Sequence, residues 1–399
     1  MMPTQKTNRI AAVICICIII MMVSMQVYSA NKKGKKKGRK PDAQDIREKK
    51  IAERERKKGP TFPGKDPAFL VLPRKTERSK MPRELLSEDV IQMKEKALKY
   101  LAECQDADGG WSDTQFPSNT GVTALVCMAF MAEGSRPHIG RYGVDISEGL
   151  EFLLKNAQKN GIIAGKGSNP LGPMYEHAYA TLALLMAMGD FPWHPETRDV
   201  VGRAVQALHE SQKLDGGWRY QYSTVGHSDM SVTATVLWVL RTAKKSGFTV
   251  NSKKIRKGVK FIEKCALPDG TFRYRYWGLH ASARLAGTAI ISLCQQGQVS
   301  HPLIPNAINR IAYEYERYTV DDLIERRYLI YGCFYASLAT YVCGDEYFVP
   351  WFKKVAKVLK KMQRTDGEFW DEHDNTVYPT ALAAILLQAP YGYFPLYER

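Results

Sequence analysis

The sequence lacks any CxxC pair of cysteines and is short of acidic residues. Because none of the cysteines is paired in this way, and because Cys104 and Cys265 hold the same position in distant copies of a repeat, we predict buried free thiols. The 41 Asp and Glu residues are outnumbered by 57 Lys and Arg residues, which gives a net charge of +16. Six cysteines follow residue 30: Cys104, Cys127, Cys265, Cys294, Cys333 and Cys343.

The excess positive charge is concentrated ahead of the main body of the chain. Residues 31–59 contain 14 Lys or Arg against 5 Asp or Glu, whereas residues 60–399 carry a net charge of only +5. Such a charge run is typical of a disordered segment, so we predict a basic tether over residues 31–82. It is either a solvated linker or a contact for an anionic membrane surface. Nucleic acid is not an expected partner outside the cytosol.

The first 30 residues have the pattern of an export signal. Lys6 and Arg9 precede an apolar stretch from Ile10 to Met25, and small residues close the segment at Ala30. This order favours a cleaved signal peptide, although an N-terminal membrane anchor is the alternative, since the run is near the short end for a spanning helix. We therefore predict an exported protein of the periplasm or cell envelope, with a main body over residues 83–399.

One segment, Lys96 to Trp111 (KALKYLAECQDADGGW), recurs along the chain about every fifty residues. Clear copies begin at Arg203, Lys257 and Lys354, and a blurred copy begins at Glu148. Each copy starts with apolar residues at helical spacing and ends in a glycine turn, which stops the helix and is usually closed by an aromatic residue. A repeat of this length indicates stacked helical units.

A second, almost wholly apolar segment follows each copy and predicts a buried helix. Because a single helix pair cannot cover its own apolar face, we predict an all-α fold, an α6/α6 double-layered toroid built from six helix-pair repeats. The predicted inner helices are Thr120 to Glu133, Tyr175 to Met188, Met230 to Ser246, Ala281 to Gln296, Tyr328 to Cys343 and Val377 to Gln388, and most stop at Gly134, Gly189, Gly247, Gly297 or Gly344.

The repeat KALKYLAECQDADGGW resembles that of the prenyltransferase and squalene oxidase repeat family, which includes squalene and hopene cyclases and the β subunits of protein prenyltransferases. The likeness covers about Ser87 to Arg399. The segments GGWRYQY, SVTATVLWVLRTAKKSG and VYPTALAAILLQAPYGYFPLYER also resemble an exported bacterial group of repeat proteins. The resemblance implies a terpenoid cyclase-like α/α toroid.

Two motifs that this resemblance leads us to look for are absent. Cyclases of the squalene type begin their reaction with a protonated aspartate in a DxDD motif, but the nearest string here is TVDD, with Thr319 in the first position. Prenyltransferases hold zinc through an Asp-x-Cys pair, which this sequence does not contain. We therefore predict no cofactor, with zinc held by His177, His227 and His280 as the alternative.

Polar residues near the starts of the inner helices are weak candidates for catalysis, because a toroid delivers them to one rim of its central cavity. Each also has a structural interpretation as a helix cap or a rim hydrogen bond; Asp229 in particular is a natural N-cap. The candidates are His177, His227, Asp229, His280, Arg284, His373 and Tyr378, with Glu176, Tyr331, Cys333 and Asp374 beside them.

The residues that recur at the end of each repeat are assigned to structure. An aspartate that returns in register has a shared task, so we expect it to form the turn and bond to the backbone. The aromatic residues that close the turns are expected to pack between neighbouring repeats. These two sets are Asp108, Asp215, Asp269 and Asp366, and Trp111, Trp218, Phe272 and Phe369.

Three functions remain open from the sequence. The one we favour is a non-catalytic toroid whose cavity or rim binds a lipid, a peptide or a protein partner at the cell envelope. The second is an isoprenoid-processing enzyme, cyclase or prenyltransferase-like, with His177, Asp229 or His373 as acid or base. The third is a carbohydrate-active toroid, because 21 Tyr and 7 Trp would suit stacking on sugars, although aromatic residues are more often core.

Overall fold

The computed structural model describes residues 83–165, 168–169, 171–190 and 196–392, without the side chains of residues 83 and 190. All of them lie in one compact unit, Gly64–Arg399. The predicted leader and basic tether lie outside the described residues. Within the part of the chain that is described, no helix is both long and apolar enough to cross a membrane.

The described chain is built from helices, with one short pair of strands. In order, the elements are α1 (Glu88–Glu103), α2 (Thr120–Glu133), α3 (Gly143–Lys155), α4 (Met174–Ala187), α5 (Thr197–Glu210), α6 (Met230–Lys245), α7 (Ser252–Cys265), β1 (Phe272–Arg273), β2 (Ala281–Ser282), α8 (Arg284–Gln295), α9 (Leu303–Arg317), α10 (Val320–Ile324), α11 (Leu329–Cys343), α12 (Asp345–Met362) and α13 (Val377–Leu387). Short 3₁₀ turns cover Arg83–Leu85, Met188–Asp190 and Ala389–Tyr391.

Helices α1, α3, α5, α7, α9 and α12 form the outer layer because each has one apolar face. In α7, Ile255, Val259 and Ile262 are buried at intervals of four and three residues, while an arginine and two lysines occupy the exposed positions between them. This spacing places the buried residues on one side of the helix. The outer helices therefore shield the inner layer with one face and meet solvent with the other.

The inner layer consists of α2, α4, α6, α8, α11 and α13, whose residues are buried nearly all round. Each of these helices packs on the next, and α13 returns to pack on α2, so the ring is closed. Polar side chains cap some of the helix starts. Asn119 Oδ1 accepts hydrogen bonds from the backbone N–H groups of Gly121 and Val122 at 2.8 and 3.0 Å, satisfying donors that a helix leaves unpaired at its N-terminus.

One contact repeats around the ring and includes its closure. The turn glycine of each copy has a positive φ and lies against a carbonyl of the following outer helix. A β-carbon at Gly109 would lie 2.7 Å from the carbonyl oxygen of Glu148, and one at Gly367 would lie 2.4 Å from that of Lys96. The last repeat therefore meets the first in the way that neighbouring repeats meet each other.

Side chains also bridge the closure. Asp113, in the first repeat, accepts hydrogen bonds from the backbone N–H groups of Thr376 and Tyr378 at 2.8 and 2.7 Å. Gln388 Nε2, at the end of α13, donates to the carbonyl of Ala129 at 3.0 Å. The predicted α6/α6 toroid is confirmed.

Two details of the prediction were wrong. Ala281 was placed in an inner helix, but Ala281 and Ser282 pair antiparallel with Phe272 and Arg273, and Ser282 Oγ then accepts a hydrogen bond from the backbone N–H of Arg284, where α8 begins. Gly189 was expected to end α4, but this helix ends at Ala187 and runs into a 3₁₀ turn. In both places local hydrogen bonds override the apolar pattern.

Candidate functional site

The repeated aspartates have the structural role expected for them. Asp108 and Asp269 each accept a hydrogen bond at 3.0 Å from the backbone N–H two residues later. Asp366 and Asp215 make the same bond at 3.2 and 3.4 Å. A carboxylate that bonds to its own turn is engaged in holding that turn.

The aromatic residues that close the turns pack between repeats, also as expected. Trp111 is fully buried, and its Nε1 donates to the carbonyl of Leu101 at 2.7 Å. A β-carbon at Gly149, on the next outer helix, would lie 2.9 Å from the Trp111 ring. Trp218 stands in the same relation to Gly258. At these two positions, the glycine near the start of a repeat is therefore the surface on which the preceding aromatic packs.

The centre of the ring is closed at one level by tyrosine hydroxyls. Tyr179 Oη on α4 and Tyr335 Oη on α11 lie 3.2 Å apart, although these helices occupy opposite sides of the inner ring. Thr235 Oγ1 on α6 lies 2.9 Å from the same Tyr335 hydroxyl. These three side chains meet across the axis of the ring and form a floor.

Five more tyrosines lie toward the side of the ring where the inner helices begin. Tyr175 and Tyr331 each precede a floor tyrosine by four residues, and therefore lie on the same helix face one turn nearer the rim. Tyr220 Oη and Tyr274 Oη, on the loops before α6 and α8, are 2.5 Å apart. We call this arrangement the tyrosine cup: Tyr175, Tyr220, Tyr274, Tyr331 and Tyr378 above the floor of Tyr179, Tyr335 and Thr235.

The tyrosines of the cup stay protonated. Burial raises the pKa of Tyr175, Tyr274 and Tyr331 well above the ordinary value, and neighbouring charge adds to the effect. Burial also raises the pKa of Tyr220 to about 12. The hydroxyls are therefore neutral at physiological pH, so they can both donate and accept hydrogen bonds.

The charge of Asp229 acts on four of the five tyrosines above the floor, namely Tyr175, Tyr220, Tyr274 and Tyr331. Asp229 has the N-cap role predicted for it, since Oδ1 accepts from the backbone N–H of Val232 and from Ser231 Oγ, both at 2.9 Å. Its Oδ2 atom is buried and has no hydrogen-bond partner among the described residues. Burial raises the pKa of Asp229 to about 6, against the lowering effect of those hydrogen bonds and of Arg219 and Arg275.

The mouth of the cup lies beside two exposed aromatic rings. The His227 ring stands edge-on to the Trp277 ring, with centroids 5.2 Å apart. Trp277 is 49% exposed, and the guanidinium of Arg275 lies 5.3 Å from its centroid. The sequence predicted a rim position for His227; in the structure, His227 is an exposed neighbour of Trp277.

His177 and Glu176 are engaged inside the protein. His177 Nδ1 accepts a hydrogen bond from the backbone N–H of Ile163 at 3.1 Å, so Nε2 carries the proton and donates to the carbonyl of Ala204 at 3.2 Å. Burial lowers the pKa of His177 to about 4. Glu176 accepts from the backbone N–H of Asn169 at 2.6 Å and from Ser168 Oγ at 2.9 Å. Both side chains join α4 to neighbouring segments.

The candidates near α8 and α11 are spread apart. His280 is exposed. Arg284 donates to the carbonyl of Arg327, and Cys333 is buried with its sulfur 3.3 Å from Tyr315 Oη. Of this group only Tyr331 belongs to the cup.

The candidates before α13 are divided in the same way. His373 and Asp374 are exposed, and the His373 ring lies 6.3 Å from that of Tyr328. Tyr378 is half-buried, and burial together with nearby charge raises its pKa. The ring thus brings together Asp229, Tyr331 and Tyr378 from the predicted set, and not its histidines.

The histidines considered for zinc are not gathered at one place. His177 uses both ring nitrogens on the backbone, whereas His227 and His280 are exposed. Among the described residues, no group of three or more His, Cys, Asp or Glu side chains could hold a metal ion.

Sequence reasoning missed most of the tyrosine cup. The spacing of Tyr175 with Tyr179, and of Tyr331 with Tyr335, was a usable signal, because residues four apart share a helix face. Tyr220 and Tyr274 carried a weaker signal: each lies two residues after the aromatic that closes its turn.

Comparisons with known proteins agree with the architecture. The family model of the squalene-hopene cyclase C-terminal domain matches residues 117–285. The type II terpene cyclase MstE from Scytonema aligns at a TM-score of 0.54 and 14% identity, over 78% of this chain and 100% of that one. A search of curated proteins found no relative.

Solved toroids of another class align equally well. An inactive variant of an α-1,6-mannanase from Salegentibacter sp. HEL1_6, in complex with α-1,6-mannotriose, gives a TM-score of 0.57 at 9% identity, over 76% of this chain and 99% of that one. An α-amylase from Clostridium perfringens gives 0.53 at 13% identity, over 75% and 97%. At such identities the alignments show the fold alone. The predicted resemblance is thus confirmed at the level of the fold: the chain shares the α/α toroid of the terpene cyclases, and residues 117–285 match the cyclase model.

Proposed function

We propose that this protein is an exported, non-catalytic toroid that binds a ligand in the tyrosine cup at the cell envelope. The observation that carries the proposal is the free Oδ2 of Asp229, a fully buried carboxylate oxygen without a hydrogen-bond partner in the described chain. Burying such a group is costly unless something bonds to it. A ligand that donates a hydrogen bond to this oxygen would remove the cost.

The position of Asp229 supports a ligand at the ring axis. Its charge acts on Tyr175, Tyr274 and Tyr331, which belong to three other repeats. The repeats of Tyr175 and Tyr331 are not neighbours in the ring, so their side chains come near one another only around the axis. Asp229 therefore faces the cup rather than a gap between two neighbouring helices.

The lining favours a ligand with polar groups over a pure hydrocarbon. Neutral tyrosines offer both an apolar ring and a hydroxyl, a combination that suits recognition of mixed surfaces. A hydrocarbon alone would leave Asp229 Oδ2 and the Tyr331 hydroxyl without partners. A lipid with a polar head group or a peptide meets this requirement, and the basic tether over residues 31–82 would hold the protein near an anionic membrane.

Native mass spectrometry of the full chain tests ligand binding. We expect a bound small molecule on the wild type and on Asp366→Asn, a turn variant on the ring exterior, and reduced occupancy on Asp229→Asn. Asparagine keeps the N-cap bond, so the comparison isolates the free oxygen. Equal occupancy in all three proteins, or none in any, would contradict the proposal. Cell fractionation checks the location.

A second function is favoured by one observation, namely that burial raises the pKa of Asp229 to about 6 while its buried Oδ2 has no hydrogen-bond partner in the described chain. A buried carboxylic acid of this kind can donate a proton to a bound substrate. The protein would then be an isoprenoid-processing enzyme. Incubation with squalene and with geranylgeranyl diphosphate, followed by mass spectrometry of the products, tests it. Turnover that disappears in Asp229→Asn would replace the non-catalytic proposal.

A further inference from the structure

Three buried polar atoms near the tyrosine cup lack hydrogen-bond partners among the described residues. They differ in whether they donate or accept hydrogen bonds. They are Asp229 Oδ2, Arg275 Nε and Tyr331 Oη, and none of them makes a hydrogen bond to the described residues. The first can only accept, the second can only donate, and the third can do both. They come from the third, fourth and fifth repeats, so the closed ring is what brings them near one another.

The three groups are close without satisfying one another. The backbone N–H of Met230, next to Asp229, donates to the carbonyl of Tyr274, next to Arg275, at 2.9 Å. The Tyr274 hydroxyl bonds to that of Tyr220, whose ring centroid lies 5.9 Å from that of Tyr175. In keeping with this arrangement, the charge of Arg275 lowers the pKa of Asp229, and the charge of Asp229 raises that of Tyr331. Within the described part of the chain, Asp229 and Arg275 nevertheless form no ion pair. The Tyr331 hydroxyl lies near those of Tyr175 and Tyr335 but outside good hydrogen-bond geometry. A ligand group of a few atoms could therefore bond to all three.

Since Asp229 and Arg275 lie on segments joined by a backbone hydrogen bond, one ligand group that meets both must donate to the carboxylate and accept from the guanidinium. A trans peptide unit points its N–H and C=O in opposite directions, so one amide cannot do both. Two adjacent hydroxyls on a ring can, because each rotates and each both donates and accepts. The C–H face of such a ring also packs against aromatic side chains, which the cup supplies.

Resting on the proposed function, we infer that the ligand of the tyrosine cup is a carbohydrate, held through adjacent hydroxyls by Asp229, Arg275 and Tyr331. The exposed Trp277 ring, with Arg275 stacked beside it, gives a second aromatic surface at the mouth. A chain of sugars would extend from the cup over this ring. The inference requires no reaction, only binding.

Binding of the labelled full chain to a glycan array, followed by calorimetry with the strongest ligand, tests the inference. We expect Asp229→Asn to raise Kd at least tenfold, because a hydrogen bond to a charged group is lost, and Tyr331→Phe to raise it about threefold to tenfold. The matched controls are Asp366→Asn and Tyr313→Phe on the outer side of the ring. Both should keep Kd within about twofold of the wild type.

Three other outcomes are informative. Glycan binding that survives both cup variants would place the sugar elsewhere and overturn the inference. Absence of glycan binding, together with an Asp229-dependent interaction with a tripeptide library or with vesicles of anionic lipid, would overturn the carbohydrate assignment and leave the proposed function standing. Absence of every ligand would overturn both.

Discussion

Closure of the ring predicts that Gly367→Ala destabilises the protein far more than an alanine at an unpacked glycine does. Gly367 has φ +102°, and an added β-carbon would lie 2.4 Å from the carbonyl oxygen of Lys96 in the first repeat. Gly297 also has a positive φ, +78°, but its β-carbon would meet nothing within 4 Å. Both substitutions place an alanine in the left-handed backbone region, but only Gly367→Ala also disturbs the contact that closes the ring.

The magnitudes follow from these two terms. A non-glycine residue in the left-handed region costs about 1–2 kcal/mol, and this is the whole loss expected for Gly297→Ala. A carbon forced into a packed backbone contact adds about 1–3 kcal/mol, so Gly367→Ala should lose about 2–5 kcal/mol. Gly109→Ala, which meets the carbonyl of Glu148 at 2.7 Å within consecutive repeats, should resemble Gly367→Ala.

Urea unfolding followed by circular dichroism measures the three free energies of unfolding. Hydrogen exchange in Gly367→Ala should increase in α1 and α13, the helices at the junction. Equal losses for Gly367→Ala and Gly297→Ala would mean that the last repeat does not pack on the first, and the closed ring would then be refuted.

The remaining predictions concern single side chains. Burial raises the folded-state pKa of Asp229 to about 6 from 3.8, so its contribution to the free energy of unfolding is fully present below the unfolded pKa and is lost as pH rises through 6. Asp229→Asn should therefore remove a decrease of at most about 3 kcal/mol in the free energy of unfolding between about pH 4 and 6. The same pH dependence in the variant and the wild type would contradict the assigned burial. Burial lowers the pKa of His177 to about 4, so its contribution to the free energy of unfolding is present above pH 6.5 and is lost as pH falls through 4. His177→Ala should lower the free energy of unfolding by about 3 kcal/mol at pH 7. It should not weaken ligand binding, which calorimetry can check. Trp218→Phe should cost about 1–2 kcal/mol because the bond from Nε1 to the Leu208 carbonyl, 2.6 Å long, is lost, whereas Trp277→Phe, at an exposed ring, should change thermal stability little.

Part of the candidate site was readable from the chain. Asp229 was predicted as an N-cap because a carboxylate before an apolar helix is a local pattern, and the bond to Val232 bears this out. This local pattern does not predict the environment of the second carboxylate oxygen, Oδ2. Whether Oδ2 is solvated or buried depends on side chains from three other repeats, which lie far away in sequence.

His177 shows the opposite case. Its place at the start of an inner helix predicted a rim position, but its ring lies between the backbone of Ile163 and that of Ala204. A residue at the rim and a residue between helices are separated by only one helical turn. The sequence predicts which residues are helical, but it does not fix the rotation of the helix about its own axis in the ring. The rotation is set by packing of all neighbours together.

The sequence by itself determined the repeat, the two classes of helix and the turn aspartates, because each depends on residues within a few positions of one another. Only the tertiary structure decided the tyrosine cup. Tyr179 and Tyr335 are 156 residues apart, and they meet because the sixth inner helix returns to the first. Ring closure brings such residues to one axis and excludes water from them. That exclusion raises the pKa of Asp229, whose Oδ2 atom has no hydrogen-bond partner in the described chain.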